Sequence, residues 1–200
     1  LVLSDGTKVW LNADSELKYP VRFVGGKREV YLKGEGYFQV SKDSCRQFIV
    51  HLQNSEITVL GTAFNVSAYE DEAHVYTTLE EGRVAFYSRQ NKQRILLKPG
   101  MQSDMEVATG KTVVSEVDPS LYSAWTEGRF VFQSLDLESI LRQLQRWYDF
   151  EVFFQQQEVK NYRFRGVLSR DMDIRQALDI IEETTDLKFD IKGKTILVRK

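Results

Sequence analysis

A single cysteine, Cys45, stands among the 200 residues, so no intrachain disulfide is possible and the disulfide-rich secreted class is excluded. One thiol suits a reduced cytosol, and equally a periplasmic domain that avoids thiols. There are two histidines, His51 and His74, and nothing resembles the usual zinc spacings. No apolar run approaches the roughly 20 residues needed to span a bilayer, and no signal peptide is visible. An excess of one charge is missing too. The 27 basic and 29 acidic residues leave a net charge of -2, which gives no general electrostatic reason to bind nucleic acid. The chain opens at Leu1, without methionine and already in a strand-like pattern, and so reads as a piece of a longer protein.

What is present is ordinary globular material, 42% hydrophobic and 28% charged, enough for one large domain or two small ones. In Glu29-Val-Tyr-Leu-Lys-Gly-Glu-Gly-Tyr-Phe-Gln-Val40 the apolar residues Val30, Leu32, Phe38 and Val40 alternate with Glu29, Lys33, Glu35 and Gln39. Period-two alternation marks a strand with one buried face. Gly34 and Gly36 leave that face bare mid-strand, where another backbone can approach or the strand can bend. From Ile57 and Val59 to Leu60, Phe64 and Val66 the apolar phase slips beside Gly61, which predicts a bulged strand. These three glycines read as architecture.

Up to about Val117 the pattern is strand after strand. Ser4-Asp5-Gly6 predicts a hairpin turn between residues 1–3 and 7–11. Leu17, Tyr19, Val21 and Phe23 alternate, as do Phe48, Val50 and Leu52, then Val75, Thr77 and Leu79. Val84 and Phe86 follow a phase change at Glu80-Glu81-Gly82, and Ile95-Leu96-Leu97 stops at Pro99-Gly100. Such spacing predicts an all-β domain, an irregular sandwich, barrel or solenoid. After Asp118-Pro119-Ser120 the period changes. Leu137, Ile140, Leu141, Leu144, Trp147 and Tyr148 form the stripe of an amphipathic helix with Asp136 as N-cap. Ile174, Ala177, Leu178 and Ile181 form a second, capped by Asp173. Strand patterns at 129–132, 151–154, 162–167, 187–190 and 195–198 bracket them. The order βαβ then βαββ is a small α+β unit, near the lower size limit for independent folding. The expected division is an all-β domain at 1–117, a linker at 118–127 and an α+β domain at 128–200.

Candidate chemistry is thin. On a strand Glu70, Glu72 and His74 would share one face, but a solvated turn explains them better than a metal site. Glu35, Glu80 and Glu81 lie near glycines, where a glycosidase could set an acid and a base, yet only spatial separation defines that mechanism. Cys45 sits in a polar loop beside Arg46, without a motif joining it to a histidine. Gly34-Glu-Gly36 and Gly61-Thr62 lack phosphate-loop spacing. Trp125, Phe130, Phe132, Trp147 and Tyr148 could stack a sugar or base, although their spacing is that of core. No catalytic residue, metal or cofactor is expected.

Several ordered motifs nevertheless form a familiar set: Leu3-Ser-Asp-Gly-Thr-Lys-Val-Trp-Leu-Asn-Ala13, Tyr19-Pro20, Arg28-Glu-Val-Tyr-Leu-Lys-Gly-Glu-Gly-Tyr-Phe38, Phe48-Ile-Val50, Val59-Leu-Gly-Thr-Ala-Phe-Asn-Val66, Leu79-Glu-Glu-Gly-Arg-Val84 and Leu97-Lys-Pro-Gly100. They resemble the periplasmic domain of the FecR family, transmembrane regulators of extracytoplasmic-function sigma factors. From Trp125 through Leu141-Arg-Gln-Leu-Gln-Arg-Trp-Tyr148 to Ile196-Leu-Val198 the chain looks like the C-terminal domain of FecR proteins of the Bacteroidetes type, itself similar to the secretin and TonB short N-terminal fold. The family commonly has a larger residue where Gly36 stands. Its cytoplasmic sigma-binding segment and membrane helix lie outside this sequence.

The resemblance implies a non-enzymatic receiver: the periplasmic part of a single-pass inner-membrane protein. A TonB-dependent outer-membrane transporter would present its signalling domain to it, and the state of the transporter would reach the sigma factor through the absent cytoplasmic segment. Sheet edges accept strands from partners. The stretches 162–167 and 195–199 are the expected edges, with Tyr162, Phe164, Val167, Ile196 and Val198 as candidate partner-binding residues. Two rivals stand beside this reading. One is a carbohydrate- or envelope-binding module using Tyr31 and Tyr37 as platforms. The other is a hydrolase using Glu35 with Glu80 or Glu81.

Overall fold

The computed structural model describes residues 1–200, and its contacts divide the chain into two units, Leu1–Thr126 and Glu127–Lys200. The first holds eleven strands: β1 (Lys8–Leu11), β2 (Glu16–Lys18), β3 (Lys27–Gln39), β4 (Gln47–His51), β5 (Ser55–Val59), β6 (Ala63–Ala68), β7 (His74–Glu81), β8 (Val84–Ser88), β9 (Arg94–Leu97), β10 (Met101–Glu106) and β11 (Thr112–Glu116). A single helical turn, α1 (Ser120–Ser123), and a 3-10 turn follow. The strands make one large curled sheet in the order β11-β10-β7-β6-β3-β4-β5-β8-β9, with β1 and β2 also on β3. This is the expected all-β half.

β3 organises the sheet. Residues 27–31 run parallel to β4, and residues 34–39 run antiparallel to β6. The handover falls at Gly34, whose φ is +81°, a left-handed backbone that crowds the Cβ of an L residue. A Cβ there would also lie 2.8 Å from the Asp14 carbonyl oxygen. The close backbone approach expected of this glycine is therefore real. The alternation holds as well. Val30, Leu32, Phe38, Phe48, Val50, Ile57, Phe64, Leu79 and Phe86 share one core, each such burial stabilising by about 1.5–3 kcal/mol.

Two expectations for this half need correction. The phase slip between Ile57 and Val66 is not one bulged strand. β5 and β6 are separate strands, β5 between β4 and β8 and β6 between β3 and β7, joined by a turn at residues 60–62. The bulge lies across the ladder, where Ala63 opposes Glu81 and Phe64 opposes Leu79, leaving Glu80 as the extra residue of β7. Gly61 matters for a different reason: a Cβ would sit 2.7 Å from Lys42 Cα. The second correction concerns Leu17, Tyr19, Val21 and Phe23. β2 ends at Lys18, because Pro20 has no amide hydrogen to extend the ladder. Val21 and Val24, each 90% exposed, lie in the loop beyond.

The second unit follows the order βαβ-βαββ: β12 (Arg129–Asp136), α2 (Leu137–Tyr148), β13 (Glu151–Phe154), β14 (Arg163–Ser169), α3 (Ile174–Glu183), β15 (Lys188–Lys192) and β16 (Thr195–Arg199). The two halves interleave. β12 pairs antiparallel with β14, while β13, β16 and β15 form a separate three-stranded sheet in that order. The apolar stripes of both helices meet Phe130, Phe132, Phe189, Ile196 and Val198 in one core.

Both helices start where the caps were expected. Asp173 and Gln176 form a reciprocal capping box on α3, and Asp136 accepts the Ser139 N–H at 2.8 Å on α2. Partial burial works against the charge of Asp136, but the Ser139 amide and the Arg163 guanidinium hold its carboxyl below the usual range. A depressed carboxyl stabilises the fold above its unfolded pKa, and that stabilisation is lost as pH falls through the lower folded value. Asp136→Ala should therefore cost about 1 kcal/mol at neutral pH. In urea melts the gap between variant and parent should close below about pH 4.

Candidate functional site

β14 has β12 on one side and no strand on the other, so it presents a free edge. Its side chains alternate. Arg163, Arg165 and Val167 point outward and are exposed, while Phe164 and Leu168 turn to the core. Val167 is 56% exposed, and a Cβ on Gly166 would meet nothing within 4 Å. Tyr162 precedes the strand and packs against the core; its carbonyl accepts the first amide of α2, Leu137 N–H, at 2.8 Å. Of the residues expected here, Val167 lies open on the edge, whereas Tyr162 and Phe164 anchor the strand from beneath. β12 is an edge too, but a register shift between Phe132 and Leu135 and a left-handed Ser134 (φ +56°) interrupt it. Bulges blunt edges, which leaves β14 the more regular one.

The other expected edge is overturned. β16 lies between β13 and β15, hydrogen-bonded on both sides. Ile196 and Val198 are 1% and 0% exposed, spent on the core because the last strand inserts centrally instead of adding outside. The edges of that sheet are β13 and β15. Phe153 on β13, 54% exposed, stands in register beside Leu197, 37% exposed.

The remaining candidates separate onto different partners. Glu70 pairs with Lys33 of β3 at 2.9 Å, whereas His74 Nδ1 lies 2.5 Å from Asp104 Oδ1 of β10, so Glu70 and His74 are committed to partners on different strands. Glu35 accepts from Asn12 at 2.6 Å and from Asn65 at 2.8 Å, and Asn65 in turn accepts from the Trp125 indole at 3.1 Å. Glu80 accepts the Tyr37 hydroxyl at 2.9 Å. Burial, with Glu80 beside it, pushes that phenol up to about 12. Tyr37 is only 6% exposed and cannot be a platform, against the expectation; Tyr31, 54% exposed and stacked on His51 at 4.7 Å, remains open. Cys45 is exposed in its loop. Phe130 and Phe132 belong to the core. The Arg170 guanidinium lies 3.6 Å from the centre of the Trp147 ring and 4.9 Å from that of Phe130, so this aromatic group is organised around an internal cation.

Sequence reasoning missed the partner of Arg28. This arginine occupies an inward position of β3 and is fully buried, with Nη1 2.8 Å from Asp5 Oδ2. Its phase among Val30 and Leu32 was the available signal. No helix is long and apolar enough to cross a membrane.

The family described as "FecR protein" matches residues 1–85, and that described as "FecR, C-terminal" matches residues 129–198. Two crystal structures of a candidate anti-sigma factor from Parabacteroides distasonis ATCC 8503 superpose with TM-scores of 0.91 and 0.90 at 26% identity. They align with 100% of this chain and with 93% and 92% of theirs. No curated protein matches the chain.

Proposed function

The chain belongs to the FecR family, and from that premise we propose that it is the periplasmic, signal-receiving portion of a sigma-factor regulator anchored in the inner membrane. FecR proteins and anti-sigma factors are a regulatory class, and the role of this chain is to bind and relay. Its input is the signalling domain of a TonB-dependent outer-membrane transporter. Its output reaches an extracytoplasmic-function sigma factor through a cytoplasmic segment outside this sequence. The observation that carries the reading is the end-to-end agreement with the candidate anti-sigma factor, through both units.

The second unit supplies the physical means. β14 carries an unpaired backbone edge, and a partner strand that adds to it gains main-chain hydrogen bonds while side chains such as Val167 set the choice of partner. Successive residues of a strand aim their amides at opposite sides. Arg170 N–H donates to the Gly128 carbonyl on the β12 side, so by alternation Val167→Pro removes a donor facing the free edge, whereas Phe164→Pro removes one facing β12 together with a core side chain. The edge-facing variant should keep its fold and lose at least tenfold in affinity for the transporter signalling domain, measured by calorimetry with circular dichroism as the check on folding. Undiminished binding by folded Val167→Pro counts against β14 as the interface. No binding by the parent chain to any transporter signalling domain encoded beside it counts against the role itself.

A further inference from the structure

β3 is paired on both sides along most of its length, by β4 or β6 on one side and by β2 or β1 on the other. Its first four residues are the exception. Residues 27–30 pair with β4, but β2 reaches only to the position where Lys18 opposes Tyr31. Pro20 ends that ladder, and the loop at 19–26 makes no backbone hydrogen bond back to β3. Because successive residues of a strand point their N–H and C=O to alternate sides, two of these four residues direct theirs into the space that β2 vacates.

That space is a groove of about 790 Å³, within the size range of ligand sites, with Lys18, Tyr19, Arg22, Phe23, Lys27 and Tyr31 among its walls. Its charge is lopsided. Arg22 and Lys27 are exposed and make no ion pair, and Lys18 reaches only its strand neighbour Glu16, at 3.3 Å. The one carboxylate of the lining, Glu29, faces His51 at 3.9 Å. Phe23 packs edge-on against Phe48 of the core, 6.0 Å between ring centres, and gives the groove an apolar inner end.

We propose that this groove is a strand-addition site for an extended peptide segment in which acidic residues alternate with apolar ones. The added strand takes the place that β2 leaves beside residues 27–30, about 13 Å of extended chain. Its backbone satisfies the unpaired groups of β3. Its outward side chains meet Lys18, Arg22 and Lys27, and its inward ones meet Phe23. A saccharide could lie on Tyr31 but would leave the strand edge unmatched, so the backbone favours a peptide.

The test uses an acetylated, amidated hexapeptide that alternates valine and glutamate, titrated into the protein by calorimetry with hydrogen exchange read at residues 27–30. Saturable binding with slowed exchange there is expected, and a valine–lysine counterpart should bind at least tenfold more weakly. Peptides N-methylated at alternate residues, one for each register, separate main-chain from side-chain recognition; at least one should lose binding. Arg22→Glu and Lys27→Glu change exposed side chains and should each weaken binding about tenfold, whereas Val167→Pro in the second unit should not. The proposal is overturned if the hexapeptide does not bind, if both N-methylated forms bind as well as the parent, or if exchange at 27–30 is unchanged. It is likewise overturned in favour of a saccharide site if an oligogalacturonate binds and the hexapeptide does not.

Discussion

Asp5→Ala is expected to destabilise the first unit by about 3–5 kcal/mol, the range for removing one partner of a buried ion pair. Arg28 is fully buried and points into the core from β3. Its Nη1 donates to Asp5 Oδ2 and to the Ser41 carbonyl, each at 2.8 Å. Nε and Nη2 donate to the Arg46 carbonyl at 3.2 and 2.9 Å, and the guanidinium lies 5.4 Å from the centre of the Phe48 ring. The acid is equally committed: Asp5, with its side chain 6% exposed, accepts from the Thr7 amide at 3.0 Å and from the Thr7 hydroxyl at 2.8 Å. Truncating it strands a charge where water cannot reach. Asp5→Asn keeps the shape and some of the Thr7 bonds, so it isolates the loss of charge and should cost nearly as much. Arg28→Met in the Asp5→Ala background removes the stranded cation, and the double variant should lose well under the sum of the singles. Urea melts of the four proteins give that coupling directly. A cost under 1 kcal/mol for Asp5→Ala would mean that the pair is wet.

That pair also marks the limit of legibility in this chain. An arginine in phase with Val30 and Leu32 says that something polar enters the core, but periodicity carries no information on which distant residue meets it. Asp5 lies 23 positions away in what the sequence presents only as a hairpin turn. The same limit separates the correct and incorrect edge residues. Alternation identifies the faces of β14 and β16 equally well; the neighbours of a strand depend on where other strands insert, so Val167 came out on an edge and Ile196 and Val198 in the centre of a sheet. Helices fared best because their signals are local, with stripe and cap within one element, as in Asp136 with α2. β10 shows no apolar alternation because two of its buried positions are Gln102 and Ser103. Gln102 is tolerated there by donating to the Thr78 hydroxyl at 2.7 Å, a compensation visible only in the fold. The end of β2, in contrast, is written in Pro20, although the apolar alternation continues past it through Val21 and Phe23.

The glycines offer a graded test of the corner in β3, because three of them sit in physically different surroundings. Gly34→Val should cost about 2–5 kcal/mol, combining a left-handed backbone at about 1–2 with overpacking at about 1–3. A Cβ at this position would lie 2.4 Å from Ser15 Oγ and 2.9 Å from Ser15 Cα, so rotating the serine does not relieve the clash. Displacing that serine has a second consequence. Its Oγ accepts the Glu35 N–H at 2.8 Å, standing in for a strand partner where the chain leaves β1 for β2, and losing it orphans a part-buried amide. Gly36 needs no left-handed backbone, and its Cβ would press on the rim of the Phe38 ring at 2.9 Å. That ring is buried and stacked on Phe64 at 5.2 Å, so Gly36→Ala should cost roughly 1–3 kcal/mol through overpacking alone. Gly26 has nothing within 4 Å, and Gly26→Ala should be neutral or stabilise by up to about 1 kcal/mol by restricting the unfolded chain. Urea midpoints should therefore rank Gly34→Val below Gly36→Ala below the parent, with Gly26→Ala at or above it. A Gly34→Val protein within 1 kcal/mol of the parent would mean that β3 turns from β4 to β6 without the left-handed corner. Because Ser15 leads directly into β2, the same substitution should also loosen the strand that ends at the peptide groove, so Gly34→Val should raise amide exchange at residues 16–18 as well as lower the midpoint.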